Sequence, residues 1–180
     1  VPLYHRGMLP LSGVRVIESS LLGPGFVATF LSDLGADVIK VEPPSGDYIR
    51  QMTWPIVNGV SLLHLHTHRG KKSVCLNLKS PEGIQLYKDL VATADVVVEA
   101  MRPGALGKLG LGYADLKKIN PKIVFCTISG YGATGPYKDL PSPIKELIDW
   151  DQQRQDVEIK YTQVAEQFHP DGMVPAAIQA

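Results

Sequence analysis

Along this chain, apolar residues alternate between a strand-like period and a helix-like period, and the changes fall at glycine and proline. Val14, Val16 and Ile17 form a short β-branched run, which Gly23, Pro24 and Gly25 break where a chain leaving a strand turns sharply. Phe26, Val27, Phe30, Leu31 and Leu34 then recur at the spacing of one helical face, which predicts a helix that buries this stripe. Gly35 stands where a left-handed cap is expected. Val38, Ile39 and Val41 make a second buried strand. A strand, a helix and a strand within about thirty residues predict a right-handed βαβ unit with parallel strands.

The same rhythm continues. Pro43, Pro44, Ser45, Gly46 and Asp47 form a loop at the end of the second strand, the end where parallel sheets bind ligands. Residues 48–65 are interrupted by Trp54-Pro55 and Asn58-Gly59, with a helix possible over 61–66. Residues 73–78 alternate as a strand with one buried face. Ser80, Pro81 and Glu82 then open a helix as N-cap, first-turn proline and dipole-facing acid, with Ile84, Leu86, Tyr87, Leu90 and Val91 on its core side. Residues 95–99 and 123–129 read as further strands, with a glycine-rich loop or short irregular helix over 101–112 and a brief helix over 113–118. Residues 130–137 form a second glycine-rich turn. The pattern predicts an α/β fold: an open, mostly parallel sheet with helices on both faces. After Ser142 the rhythm stops, which divides the chain into an irregular leader (1–9), the sheet domain (10–142) and a polar tail (143–180).

Composition removes some function classes. The 180 residues carry 18 basic and 18 acidic side chains, so net charge points to neither a nucleic-acid nor a membrane-surface protein, and any anionic ligand must meet a local basic patch. No apolar run approaches the roughly 20 residues that span a bilayer, and no signal-peptide pattern is visible. Cys75 and Cys126 fall in predicted strands and read as small buried hydrophobes in a reducing compartment. A cytoplasmic location is expected.

Two stretches invite chemistry. Residues 23–28 fit G-x-G-x-x-A between a strand and a helix, and Glu42 lies where a ribose-binding acid would sit, which suggests a nicotinamide or flavin site. Against this, Pro24 removes a backbone donor from the turn, and residues 18–22 lengthen the connection. His64, His66, His68, Arg69, Lys71 and Lys72 allow three readings. The histidines share a face and could bind metal if the segment is a strand; His64 and His68 line a helix face beside a solvated turn if it is not; or the cations hold phosphates.

Six motifs in order carry a resemblance: PLSGVRVIESS, GPG, FLSDLGADVIKVEPPSGD, RGKKSVCLNLKSPEG, ADVVVEAMRPGALGKLGLGY and INPKIVFCTISGYGATGPY. Residues 10–142 resemble the N-terminal part of the family III CoA-transferases, which include formyl-CoA transferase, carnitine-related CoA-transferases and α-methylacyl-CoA racemase. The resemblance implies a Rossmann-like domain that binds coenzyme A, in an interlocked homodimer. It places Leu22 and Gly23 against the nucleotide, Leu76, Asn77, Leu78 and Lys79 along the adenine and phosphates, Ala100, Met101 and Arg102 beside the pantetheine, and Lys108 near phosphate. CoA or acyl-CoA enters as substrate together with a small carboxylic acid; no tightly bound cofactor and no metal are implied.

Cationic donors on loops suit the CoA phosphates, which they meet with charge-assisted hydrogen bonds. In the transferases a downstream aspartate attacks the thioester to form a mixed anhydride, and in the racemases a downstream histidine and aspartate exchange the α-proton. Asp149, Asp151, His169 and Asp171 stand in unlike surroundings, so the catalytic residues are unassigned and the chain reads as truncated relative to the family. A catalytically silent CoA-binding or dimerisation module and a nicotinamide-dependent oxidoreductase are the competing readings.

Overall fold

A computed structural model describes residues 9–21, 23–52, 56–132 and 134–138. Leu22 and the candidates Asp149, Asp151, His169 and Asp171 lie outside the described residues, as do the leader up to Met8 and the tail. In chain order the elements are β1 (Arg15–Ser19), α1 (Gly25–Asp33), β2 (Asp37–Glu42), a 3₁₀ turn (Tyr48–Gln51), β3 (Ile56–Val57), β4 (Val60–Ser61) and α2 (Leu62–Thr67). They continue with β5 (Lys72–Cys75), α3 (Pro81–Ala92), β6 (Val96–Glu99), α4 (Ala105–Lys108), α5 (Tyr113–Ile119) and β7 (Val124–Thr127).

Five strands form one sheet in the order β5-β2-β1-β6-β7, and every neighbouring pair is parallel. Ile17 sits at the centre, paired with Ile39 on one side and Val97 on the other. One face packs Ile17, Val41 and Val97 under Tyr87 and Val91 of α3, Leu106 of α4 and Leu116 of α5. The other packs Val16, Val38 and Val98 under Ala28 of α1. Helices therefore cover both faces, as the alternating pattern predicts. The Asn58-Gly59 interruption is the turn of the small β3-β4 hairpin; both residues have positive φ, 51° and 77°, as a tight two-residue hairpin turn requires.

Local signals act where the sequence places them. The Ser80 hydroxyl accepts the Gly83 N–H at 3.1 Å, with Pro81 in the first turn of α3. Ser61 caps α2 in the same way, accepting the His64 N–H at 3.1 Å. Gly35, at φ +101°, turns the chain out of α1 while Ala36 N–H donates to Leu31 O at 3.0 Å.

Four expectations are corrected. The face that α1 buries is Gly25, Ala28 and Thr29, whereas Phe30, Val27 and Leu34 of the expected core stripe are exposed. Small residues let α1 lie close on the sheet, so that of the expected stripe Leu31 still packs against the core while Val27, Phe30 and Leu34 stay on the outer side. Leu86 of α3 is likewise exposed, because Gly83, Tyr87 and Val91 make the closest approach. The strand expected over 73–78 ends at Cys75, since residues 76–79 turn away to enter α3. Finally, Cys75 is exposed on the edge strand and Cys126 is only half-buried, so neither is a fully buried hydrophobe; both are free thiols. No helix among the described residues is long and apolar enough to cross a membrane.

Candidate functional site

The chain runs outward from β1 through β2 to β5, then returns to lay β6 against the other side of β1. The carboxyl ends of β1 and β6 therefore flank the point where strand order reverses, the place where open α/β sheets hold ligands. The chain leaves the sheet there twice, into a first loop after Ser19 of β1 and a second loop, residues 100–104, after Glu99 of β6. Ala100 N–H donates to Ser19 O at 3.3 Å, and the Glu99 carboxylate accepts the Met101 N–H at 2.9 Å, which fixes the start of the second loop. Beneath them the Ser19 hydroxyl donates to the Tyr87 oxygen at 3.1 Å. Burial, with a lesser push from Glu99 and against the Ser19 bond, drives the Tyr87 hydroxyl up to about 12, so it stays protonated.

Under the first loop lies a group of charges in which Lys71 and His68 of the basic cluster meet Glu18, Lys40 and Asp47, which the sequence reading did not single out. Glu18, Lys40 and Asp47 are fully or almost fully buried, as is the Lys71 side chain. Glu18 Oε2 is 2.6 Å from Lys71 Nζ, Lys40 Nζ is 3.0 Å from Asp47 Oδ2 and 3.5 Å from Glu18 Oε1, and His68 Nε2 is 3.4 Å from Asp47 Oδ2. Two carboxylates thus face two ammonium groups, the condition under which buried charge is tolerated. Burial works to raise Asp47, but His68, the Ile49 N–H and Lys40 hold it well below the usual carboxylate range. Burial pushes Lys71 down despite the opposing Glu18 charge. The one signal in the sequence is positional, because Glu18 and Lys40 interrupt β-branched runs that the sheet must bury.

The dinucleotide reading loses its acid. Glu42 is buried, and its oxygens accept from Arg50 Nη2 at 2.7 Å, Arg50 Nε at 3.0 Å, Ser73 Oγ at 2.7 Å and the Asp47 N–H at 2.8 Å. Against the cost of burial these bonds hold its carboxyl down at about 2, and no oxygen is left facing a ribose. Of the cations in the basic cluster, only the Lys71 side chain is buried, while Arg69 and Lys72 make ion pairs at the surface. Arg69 pairs with Asp33, Lys71 with Glu18 and Lys72 with Asp37. The histidine segment is a helix, not a strand, so His64 and His68 meet edge to face with ring centroids 4.5 Å apart while His66 turns to the Phe26 ring. The described residues contain no group of three or more His, Cys, Asp or Glu placed to hold a metal ion.

The residues expected to touch CoA are brought to one edge but not to one point. Gly23 is exposed in the β1 loop, and Ala100, Met101 and Arg102 lie directly across the switch point after β6. Met101 packs partly on the core, whereas Arg102 is exposed. Lys108 is exposed on α4, farther along the same connection. Leu76, Asn77, Leu78 and Lys79 follow β5, two strands out. Leu76 is buried and Leu78 packs against the core, so the groups left to face a ligand are Asn77 and Lys79. Lys79, Arg102 and Lys108 form no ion pair among the described residues.

The profile of CoA-transferase family III matches residues 11–143. The chain belongs to this family. It is 47% identical over 135 residues to the succinyl-CoA–L-malate CoA-transferase beta subunit of Chloroflexus aurantiacus, covering 74% of this chain and 33% of that protein. It is 48% identical over 132 residues to the succinyl-CoA:glutarate CoA-transferase of Mus musculus, covering 72% of this chain and 30% of the mouse protein. Among solved structures, a CAIB/BAIF family protein from Brucella suis superposes with a TM-score of 0.69 at 43% identity, over 74% of this chain and 36% of that one. The chain thus spans about a third of the length of the family III proteins it matches.

Proposed function

We propose that this chain is the CoA-binding part of a CoA-transferase that moves CoA between an acyl-CoA and a carboxylic acid. The observation that supports the reading is that exposed Gly23 and exposed Arg102 follow the carboxyl ends of β1 and β6, the two strands that flank the switch point, in a chain of this family. Arg102 and Lys108 would meet CoA phosphates or the pantetheine arm, and Lys79 the phosphates nearer the adenine, each by charge-assisted hydrogen bonds. Relatives named for succinyl-CoA paired with L-malate or glutarate support transfer over racemisation, and a dicarboxylic acid as acceptor. The chemistry is nucleophilic: a carboxylate elsewhere in the full protein displaces CoA thiolate from the thioester, leaving an enzyme-acyl mixed anhydride. A homodimer and a cytoplasmic location belong to the same proposal.

Calorimetric titration with CoA, succinyl-CoA and NADH tests the binding reading. CoA and succinyl-CoA should bind, and Arg102→Gln or Lys79→Gln should each weaken binding about tenfold, with a salt dependence that the variants reduce. NADH binding without any response to CoA would refute it. Mixing the protein with succinyl-CoA and hydroxylamine then probes for the anhydride, whose absence would assign this chain a binding role alone.

A further inference from the structure

The buried charges under the first loop are arranged around its two ends. At the start, the Ser20 hydroxyl donates to Glu18 Oε1 at 2.7 Å, and Lys40 Nζ donates to Ser20 O at 2.6 Å. At the finish, Lys71 Nζ donates to Gly25 O at 2.8 Å while it pairs with Glu18. Gly25 explains how this is possible. A Cβ on it would stand 3.3 Å from His68 Cε1, 3.4 Å from Glu18 Oε1 and 3.9 Å from Lys71 Nζ, so a glycine lets the turn settle directly on the charges.

We infer that Lys71, held by Glu18, is a positioning residue: it latches the Gly25 carbonyl and so sets the Gly23 turn against the CoA crevice. The inference rests on the CoA reading above. Lys71 does not touch the ligand. Its side chain is sealed from solvent, and it acts on a turn that arrives from 46 residues away in sequence. The first-turn bonds of α1, Phe26 N–H to Gly23 O at 3.0 Å and Val27 N–H to Pro24 O at 3.2 Å, depend on that latch and report on it.

Two variants of the 180-residue chain separate positioning from mere stability. Lys71→Met removes the donor and leaves buried Glu18 with only Lys40, at 3.5 Å, as its counter-charge, so it lowers the urea midpoint and weakens CoA binding together. Glu18→Gln/Lys71→Met removes both charges at nearly constant shape, which should restore much of the midpoint. Methionine still cannot donate to Gly25 O. The double variant should therefore keep CoA binding about tenfold weaker, the scale of one lost charge-assisted bond, and keep hydrogen exchange fast at Phe26 and Val27 while β1 and β6 stay protected. Recovery of CoA affinity and of slow exchange along with the midpoint would overturn the inference. If the unaltered chain does not bind CoA, the CoA reading falls, and exchange at Phe26 and Val27 still decides whether Lys71 latches the turn.

Discussion

Gly83→Ala should destabilise this protein even though alanine is the better helix former. Gly83 lies in the first turn of α3, where the helix presses on the segment that leaves β5. A Cβ there would stand 2.1 Å from the carbonyl oxygen of Asn77 and 2.7 Å from its carbonyl carbon. Packed atoms want roughly 3.5 Å, so the two backbones would have to part by more than 1 Å. Neither can rotate away, because Asn77 O accepts the Ser80 N–H at 3.0 Å and the Gly83 N–H is held by the Ser80 hydroxyl. Overpacking of this kind costs about 3 kcal/mol at its upper end, and the helix preference of alanine returns about 1 kcal/mol. The net loss is about 2 kcal/mol, seen as a lower urea midpoint and a Tm decrease of about 4–8 °C. On the CoA reading proposed above, the displaced segment holds Asn77 and Lys79, so CoA binding should weaken as well. A variant as stable as the parent, or more so, would refute the close approach and leave helix propensity in charge.

Acid stability should fall in two stages. Burial, with the charges of His68 and Arg50, pushes His64 down to about 4, so below about pH 6.5 the unfolded chain takes up a proton that the folded one refuses. Stability is therefore full above that pH and drops by about 2 kcal/mol between pH 7.5 and 5, measured by urea titration; His64→Gln should flatten this stage, and an unchanged slope would refute it. Glu42 has the second window: its folded carboxyl sits at about 2, so its contribution is present above about pH 4.5 and disappears as pH falls toward 2, steepening the loss in a way that Glu42→Gln removes. Gly35→Ala should cost more than Gly59→Ala in the same urea assay. Both positions have positive φ, but a Cβ on Gly35 would also stand 2.6 Å from Leu9 Cβ, whereas Gly59 has open space, a difference of about 1 kcal/mol or more. Equal costs would show that Leu9 yields freely.

Local chemistry made most of the fold legible from the residues alone. The Ser80-Pro81 start of α3, the Gly35 turn out of α1 and the β-branched runs of β1, β2 and β6 each declare themselves within a few positions, because capping, backbone freedom and strand periodicity act between near neighbours. Six motifs in a fixed order were enough to reach the family, and the resemblance put forward Gly23, Arg102 and Lys79, which follow the carboxyl ends of β1, β6 and β5. The tertiary structure decided what near neighbours cannot. It chose Ala28 and Thr29 over Phe30 as the buried face of α1, because the smallest side chains set how closely a helix approaches a sheet. It turned Glu42 from a ribose acid into the anchor of Arg50, and joined Lys71 to Gly25 and Glu18. Those partners lie far apart along the chain, and a charge reveals whether it serves a ligand or a loop only when folding shows which opposite charge reaches it first.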